Sequence, residues 1–171
     1  MFEKRIYEKA QEDLHRIDIY RDTPIRLLGY ANEVGEAFRA WVPVNVVRLS
    51  YVFAMGYVFA DTADKSRRTY ASKYSNNKER YQAVAFRAAD TLMWQTLASV
   101  VIPGFTINRM CYLTTKVLNW TTRIPVKAQK LTSTVLGLCM IPFIVKPIDT
   151  AVEIGMQSSV RKFYSEVFVE N

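Results

Sequence analysis

The feature that most constrains this chain is a set of three long apolar runs separated by charged segments. Residues 43–60 contain one charge, Arg48, and residues 91–108 and 131–145 contain none. Eighteen helical residues rise about 27 Å at ~1.5 Å each, which approaches the ~30 Å hydrocarbon core of a bilayer. The third run has fifteen residues, and snorkelling of the lysines at its two ends would extend its reach. The runs predict membrane-spanning helices.

The predicted fold class is all-α, a polytopic membrane helical bundle. It has about three transmembrane helices, near residues 43–60, 90–108 and 130–146. The mean hydropathy of −0.04 would also suit a soluble helical protein, so the prediction depends on the local runs. A length of 171 residues indicates one domain. We divide this single helical membrane domain (1–171) into N-terminal amphipathic helices (1–42), membrane spans (43–147) and a C-terminal amphipathic helix (148–171).

Three segments outside the runs carry apolar residues at helical spacing, and each predicts an interfacial amphipathic helix. They are residues 2–19, residues 110–123 between the second and third spans, and the C-terminal tail. The first has its apolar positions at Phe2, Ile6, Ala10, Leu14 and Ile17. The tail has them at Val152, Met156, Val160, Phe163 and Val167. For residues 2–19, packing against the chain's own residues 24–41 is an equal alternative.

The segment 24–41 is predicted as a helix that docks on a partner. Thr23 can cap the helix, and Pro24 suits its first position because the missing N–H would have no partner there. Two glycines inside it each cost about 1 kcal/mol of helix stability relative to alanine, and close approach of another helix is the usual reason. Acidic residues on its polar face do not suit anionic lipid. The predicted partner-binding residues are Gly29, Asn32, Glu33, Gly35 and Glu36.

Two alternatives to docking stay open for this segment. The helix that approaches the glycines can belong to the same chain, in which case the contact is internal. Glu33 and Glu36 lie three positions apart and can share one face, but such a face is more often simply solvated.

Basic residues concentrate beside the apolar runs. Residues 65–87 contain seven basic residues and one acid, and residues 109–130 contain five and none. Such segments favour an anionic lipid surface. The predicted lipid-facing residues are Arg67, Arg68, Arg109, Lys116 and Arg123. A basic surface also suits nucleic acid, but no nucleic-acid motif accompanies it, so we expect no such partner.

Arg48 lies inside the first run, where a charge at mid-membrane costs roughly 2.5–3.5 kcal/mol on insertion scales. It sits close enough to the end of the run to snorkel to the headgroups. The alternative is pairing with Asp90 or another buried acid. Pro103 and Pro142 interrupt the other two runs, either as tolerated kinks or as breaks that build an ion or substrate site.

No catalytic constellation is recognisable in the sequence. HExxH, GxSxG, Walker A and GxGxxG motifs are absent, and an active site needs converging nucleophile, base and stabiliser. Cys111, Cys139 and His15 lack the spacing of a zinc site. We therefore expect a protein that is not an enzyme and has no cofactor, metal or small-molecule substrate.

Three separated segments carry a family resemblance. They are RDTPIRLLGYANEVGEAFR (21–39), VIPGFTINR (101–109) and IPFIVKPID (141–149). In this order they resemble the mitochondrial fission process protein family, over about residues 20–65 and 84–164. The resemblance implies a small multi-pass protein of the mitochondrial inner membrane.

The resemblance implies a non-enzymatic role in mitochondrial fission or morphology through protein and lipid contacts. One alternative is a structural accessory subunit of a larger inner-membrane complex, respiratory or ATP synthase. Another is a carrier or channel, which Arg48, Asp90 and the prolines favour. Lys and Arg are nearly balanced between the two predicted sides of the membrane, so the orientation stays open.

Overall fold

The computed structural model describes Tyr20 and residues 24–162. The predicted helix over residues 2–19, the cap at Thr23 and the tail positions Phe163 and Val167 lie outside the described residues. Within them the chain is helical, with no strand, so the predicted all-α class is confirmed. The elements are a 3-10 helix (Pro24–Tyr30), α1 (Ala31–Ala37), α2 (Val44–Ala71), α3 (Asn77–Gln95), a π-helical segment (Thr96–Val101), α4 (Ile102–Thr121) and α5 (Val126–Ser158).

The helix predicted from Pro24 does begin there, but as a 3-10 helix that leads into a short α1. The α-helix ends at Ala37, and a hydrogen-bonded turn over residues 38–42 follows it. Pro43 then takes an extended conformation, with φ −59° and ψ 149°, and starts α2. Proline is tolerated at this position because the N–H that it lacks would have no partner within the helix.

The first apolar run forms only part of α2. The helix continues eleven residues past Ala60 and ends at Ala71, so the basic segment after the run is partly helical. Ion pairs one turn apart stabilise this extension, Lys65 with Asp61 and Arg68 with Asp64. The Asn76 side chain caps the start of α3 by accepting from the backbone N–H of Lys78.

The second run lies in one continuous helix that extends from residue 77 to residue 121. Gln95 and Ile102, on either side of the π-helical segment, both have α-helical backbone angles. Pro103 is the second residue after this segment. In a regular helix its ring would collide with the carbonyl of residue 99, and the wider π turn relieves this contact.

Two predicted helix boundaries are wrong. The segment 110–123 is the second half of α4 rather than a separate interfacial helix. The tail helix predicted after Pro147 is continuous with the third run, because α5 passes through Pro142 and Pro147. Its 33 residues rise about 50 Å. A proline inside a helix costs about 3 kcal/mol, and the rest of this long helix outweighs that cost at Pro142 and Pro147, both of which are exposed.

Of the described helices, one is long and apolar enough to cross a membrane on length and composition alone. It runs from Val126 to Lys162, and 22% of its most apolar window is buried. The other two predicted spans are not confirmed. The run 43–60 contains Asn45 and Arg48 near its start, and the run 91–108 extends over parts of α3, the π-helical segment and α4.

Polar side chains occupy much of the interior, and large apolar side chains lie on the surface. The buried polar residues include Asn32, Glu33, Glu36, Asp61, Asp90 and Gln95. Apolar residues more than half exposed include Val52, Phe53, Phe59, Phe105, Trp120 and Phe143. Apolar residues such as Trp94 and Ile107 are buried as well. The distribution still departs from that of soluble proteins, where charged residues are almost never fully buried unless paired and large exposed apolar patches are rare.

Candidate functional site

The short helix α1 lies inside the bundle, in contact with α2, α4 and α5. Ala37 packs against Ile107 of α4 and Ile144 of α5. The Oγ1 hydroxyl of Thr134 donates to the Ala37 carbonyl at 2.9 Å, and the indole N–H of Trp41 donates to the same hydroxyl oxygen at 3.1 Å. These contacts on two sides make α1 an interior element of the bundle.

Glycines allow neighbouring helices to pack closely around α1. A Cβ at Gly35 would lie 2.0 Å from Oγ of Ser50, and one at Gly29 would lie 3.0 Å from the ring of Tyr57. On the facing helices, a Cβ at Gly104 would lie 2.7 Å from the Tyr51 hydroxyl, and one at Gly137 would lie 3.3 Å from Cβ of Ala37. Gly29 and Gly35 were predicted to contact another helix, and that helix is α2 of the same chain. The close contact is therefore internal, the second of the two possibilities left open by the sequence.

Glu36 is 3% exposed, and its carboxylate accepts four hydrogen bonds. Arg39 donates two, at 2.5 and 2.6 Å, the Tyr51 hydroxyl donates one at 2.9 Å, and the Asn108 amide donates one at 2.8 Å. Burial by itself would raise the pKa of Glu36, but these donors together lower it below its ordinary value. Glu36 is therefore an ionised group that joins α1 to α2 and α4.

Glu33 lies one turn before Glu36 and has a different environment. Glu33 is 0% exposed, and neither of its carboxylate oxygens has a hydrogen-bond partner among the described residues. Burial raises the pKa of Glu33 from 4.5 to about 8, and the nearby backbone N–H of Glu33 itself and the charge of Arg26 offset this only partly. Glu33 is therefore a neutral carboxylic acid at neutral pH.

Asn32 and Arg26 fasten this part of the chain to distant helices. The Asn32 amide donates to the Val100 carbonyl, inside the π-helical segment, at 2.9 Å. The Arg26 guanidinium pairs with Asp149 of α5 at 2.5 Å and also donates to the Tyr30 hydroxyl. Both contacts connect α1 and the preceding 3-10 helix to residues far away in sequence.

All five residues predicted to bind a partner thus lie in contacts within the chain. Gly29, Asn32, Glu33 and Glu36 are buried, and Gly35 is partly buried. Partner binding at these positions stays a prediction, and it would require α1 to leave the bundle.

A second buried polar cluster was missed by sequence reasoning. Asp61 is 0% exposed and accepts from Gln95 at 2.5 Å and from Lys65 at 3.0 Å. Ser99 donates in turn to the Gln95 side-chain oxygen at 2.7 Å. The available signal was the presence of polar residues such as Gln95, Ser99 and Asn108 in an otherwise apolar run.

The structure distinguishes between the two interpretations of Arg48. Arg48 is exposed and has no ion pair with any described residue. Asp90, its suggested partner, pairs instead with Arg161 at 2.7 Å, and Arg161 also pairs with Glu153 at 2.5 Å. These ion pairs join α3 to the end of α5, and the exposed position of Arg48 favours snorkelling.

The predicted lipid-facing basic residues are all exposed, and they lie toward both ends of the bundle. Those on α2 are Arg67 and Arg68, and those on α4 and the loop after it are Arg109, Lys116 and Arg123. Among the residues that the structure describes, no group of three or more His, Cys, Asp or Glu side chains is arranged to hold a metal ion. Cys111 and Cys139 are free thiols.

Comparison with known proteins decides the family. The family model described as Mitochondrial 18 KDa protein (MTP18) matches residues 13–88 and 64–156. The chain belongs to the MTP18 family. Mitochondrial fission process protein 1 of Caenorhabditis elegans is 51% identical over 160 residues, which cover 94% of this chain and 96% of that protein. The Homo sapiens protein of the same name is 51% identical over 150 residues, which cover 88% and 90%.

The resemblance to the mitochondrial fission process proteins is thereby confirmed. The residues of this chain that match the MTP18 family model include α1 and the glycines around it. No solved structure matches the chain.

Proposed function

We propose that this chain is a non-enzymatic, multi-pass protein of the mitochondrial inner membrane that acts in mitochondrial fission through contacts with proteins and lipids. Membership of the MTP18 family supports a mitochondrial location. The names of relatives that match over most of the chain support the role in fission. The arrangement of buried hydrogen bonds supports a scaffold, because the donors around Glu36 are occupied in holding helices together.

The observation that supports membrane integration is the exposure of large apolar side chains around an interior that includes polar ones. Phe53, Phe105 and Phe143, on α2, α4 and α5, are each more than 60% exposed. In water these faces would form an unfavourable apolar surface, whereas lipid solvates them. We propose three crossings, through α2, through the continuous helix of α3, the π-helical segment and α4, and through α5. The exposed basic residues at both ends of the bundle would then contact anionic headgroups.

Alkaline carbonate extraction of mitochondrial membranes tests integration. The chain should stay in the pellet with a known multi-pass protein, while a peripheral protein is released. Recovery of the chain in the soluble fraction would contradict the proposal. For fission, loss of the chain in its own organism should change mitochondrial length, and restoring it should reverse the change.

Native electrophoresis in mild detergent distinguishes the proposed scaffold from the alternative, an accessory subunit. Co-migration of most of the chain with a respiratory or ATP synthase complex would favour the subunit. Uptake assays with the chain reconstituted in liposomes test the third possibility, that the chain is a carrier or channel. Transport above that of empty liposomes would replace the proposal of a scaffold.

A further inference from the structure

Glu33 differs from the other buried carboxylates of the described chain. Glu36 is paired with Arg39, Asp61 with Lys65, and Asp90 with Arg161. Glu33 is at least as buried as any of these, and it has neither an ion pair nor a hydrogen bond to its side chain. An isolated carboxylate removed from water is strongly unfavourable, and such a group normally becomes neutral.

Among the described residues, the cation near Glu33 is Arg26, and it is already engaged. Arg26, on the 3-10 helix, is bound to Asp149 of α5 and also donates to the Tyr30 hydroxyl. Tyr30 and Tyr51 of α2 are the other titratable groups close to Glu33, and Tyr51 donates to Glu36. On α4, Asn108 donates to Glu36 and Cys111 to the Ser133 carbonyl, and the π-helical segment contains no titratable side chain.

The unpaired polar atoms of α1 are all acceptors. They are both carboxylate oxygens of Glu33 and the amide oxygen of Asn32, which is also 0% exposed. Protonation changes one carboxylate oxygen from an acceptor to a donor and removes the charge. One proton therefore removes the uncompensated charge and reduces the excess of acceptors by one.

We propose that Glu33 is a proton-binding site and that the bound proton holds α1 inside the bundle. When α1 leaves the bundle, Glu33 enters water, its pKa returns toward 4.5, and the proton is released at neutral pH. Docking of α1 therefore takes up one proton. The pKa of the docked group is about 8, raised by burial. The proton's contribution to docking is thus complete below pH 4.5, falls as pH rises, and is lost above about pH 8.

The test is hydrogen exchange of the α1 amides in the purified chain in mild detergent, from pH 6 to pH 9. After correction for intrinsic exchange, protection should fall by about tenfold per pH unit up to about pH 8 and then level off. Glu33→Gln keeps the shape and is permanently neutral, so its protection should be independent of pH. Asp64→Asn, at a partly exposed position on α2, is the matched control and should keep the wild-type pH dependence.

Equal pH dependence in wild type and Glu33→Gln would overturn the proposal. Infrared spectroscopy of the wild type tests the same point without a variant. A protonated carboxyl C=O band should be present at pH 6 and disappear by pH 9, and its absence at pH 6 would reject the site.

Discussion

Gly35→Ala tests the central feature of the fold, the close packing of α1 on α2. The new Cβ would lie 2.0 Å from Oγ of Ser50 and 2.8 Å from its Cβ. Rotating the Ser50 side chain moves the hydroxyl but not Cβ, so the two helices must separate. Overpacking of this kind costs about 1–3 kcal/mol, and we expect the upper half of that range because Ser50 Cβ moves only with its backbone.

Helix propensity opposes part of this loss. Alanine is favoured over glycine in a helix interior by about 1 kcal/mol, so the net destabilisation should be about 1–2 kcal/mol. For a chain of this size that lowers the midpoint of thermal unfolding by about 2–8 °C. The measurement is circular dichroism of the purified chain in mild detergent, followed as a function of temperature.

Gly56→Ala is the matched control, because Gly56 lies on α2 and a Cβ there meets nothing within 4 Å. It should be stabilised by about 1 kcal/mol. Ser50→Gly removes both atoms that the new Cβ meets, so it should restore stability in the Gly35→Ala background, although it is destabilising alone. The reasoning is refuted if Gly35→Ala is as stable as Gly56→Ala. A stable Gly35→Ala chain that loses a co-purifying protein would show instead that Gly35 faces a partner.

Two further predictions concern the charged residues at the ends of the bundle. A double-mutant cycle of Asp90→Asn and Arg161→Gln, measured by thermal unfolding, should give a coupling of about 1–3 kcal/mol. Arg161→Gln leaves the buried Asp90 without its ion-pair partner, whereas Arg161 keeps Glu153 after Asp90→Asn. Additive effects would contradict the ion pair. Arg48→Leu should change the stability by less than about 0.5 kcal/mol in the same measurement, because Arg48 is exposed and pairs with no described residue; a large loss would show that it has a partner.

The sequence by itself determined where the chain is helical and where it is apolar. The run 131–145, free of charge, lies inside α5, and helices begin at Pro24 and just after Pro43. Proline marks these positions because its missing N–H and fixed φ act through local backbone chemistry. The three segments that carry the family resemblance are also short stretches of sequence. Helix continuity was predicted less well, since the cost of about 3 kcal/mol for a proline such as Pro147 is outweighed by the rest of a 33-residue helix.

Only the tertiary structure decided what the polar residues of α1 do. Glu33 and Glu36 are one turn apart and of the same type, yet Glu36 is ionised and Glu33 neutral at pH 7. The difference comes from the donors to Glu36. Arg39, three residues along the chain, contributes most, and Tyr51 and Asn108, which are 15 and 72 residues away, add to it. Helical periodicity shows which residues share a face, but it carries no information about which helix covers that face. The charge of a buried carboxyl follows from its covering groups, and these are set by packing over long sequence distances.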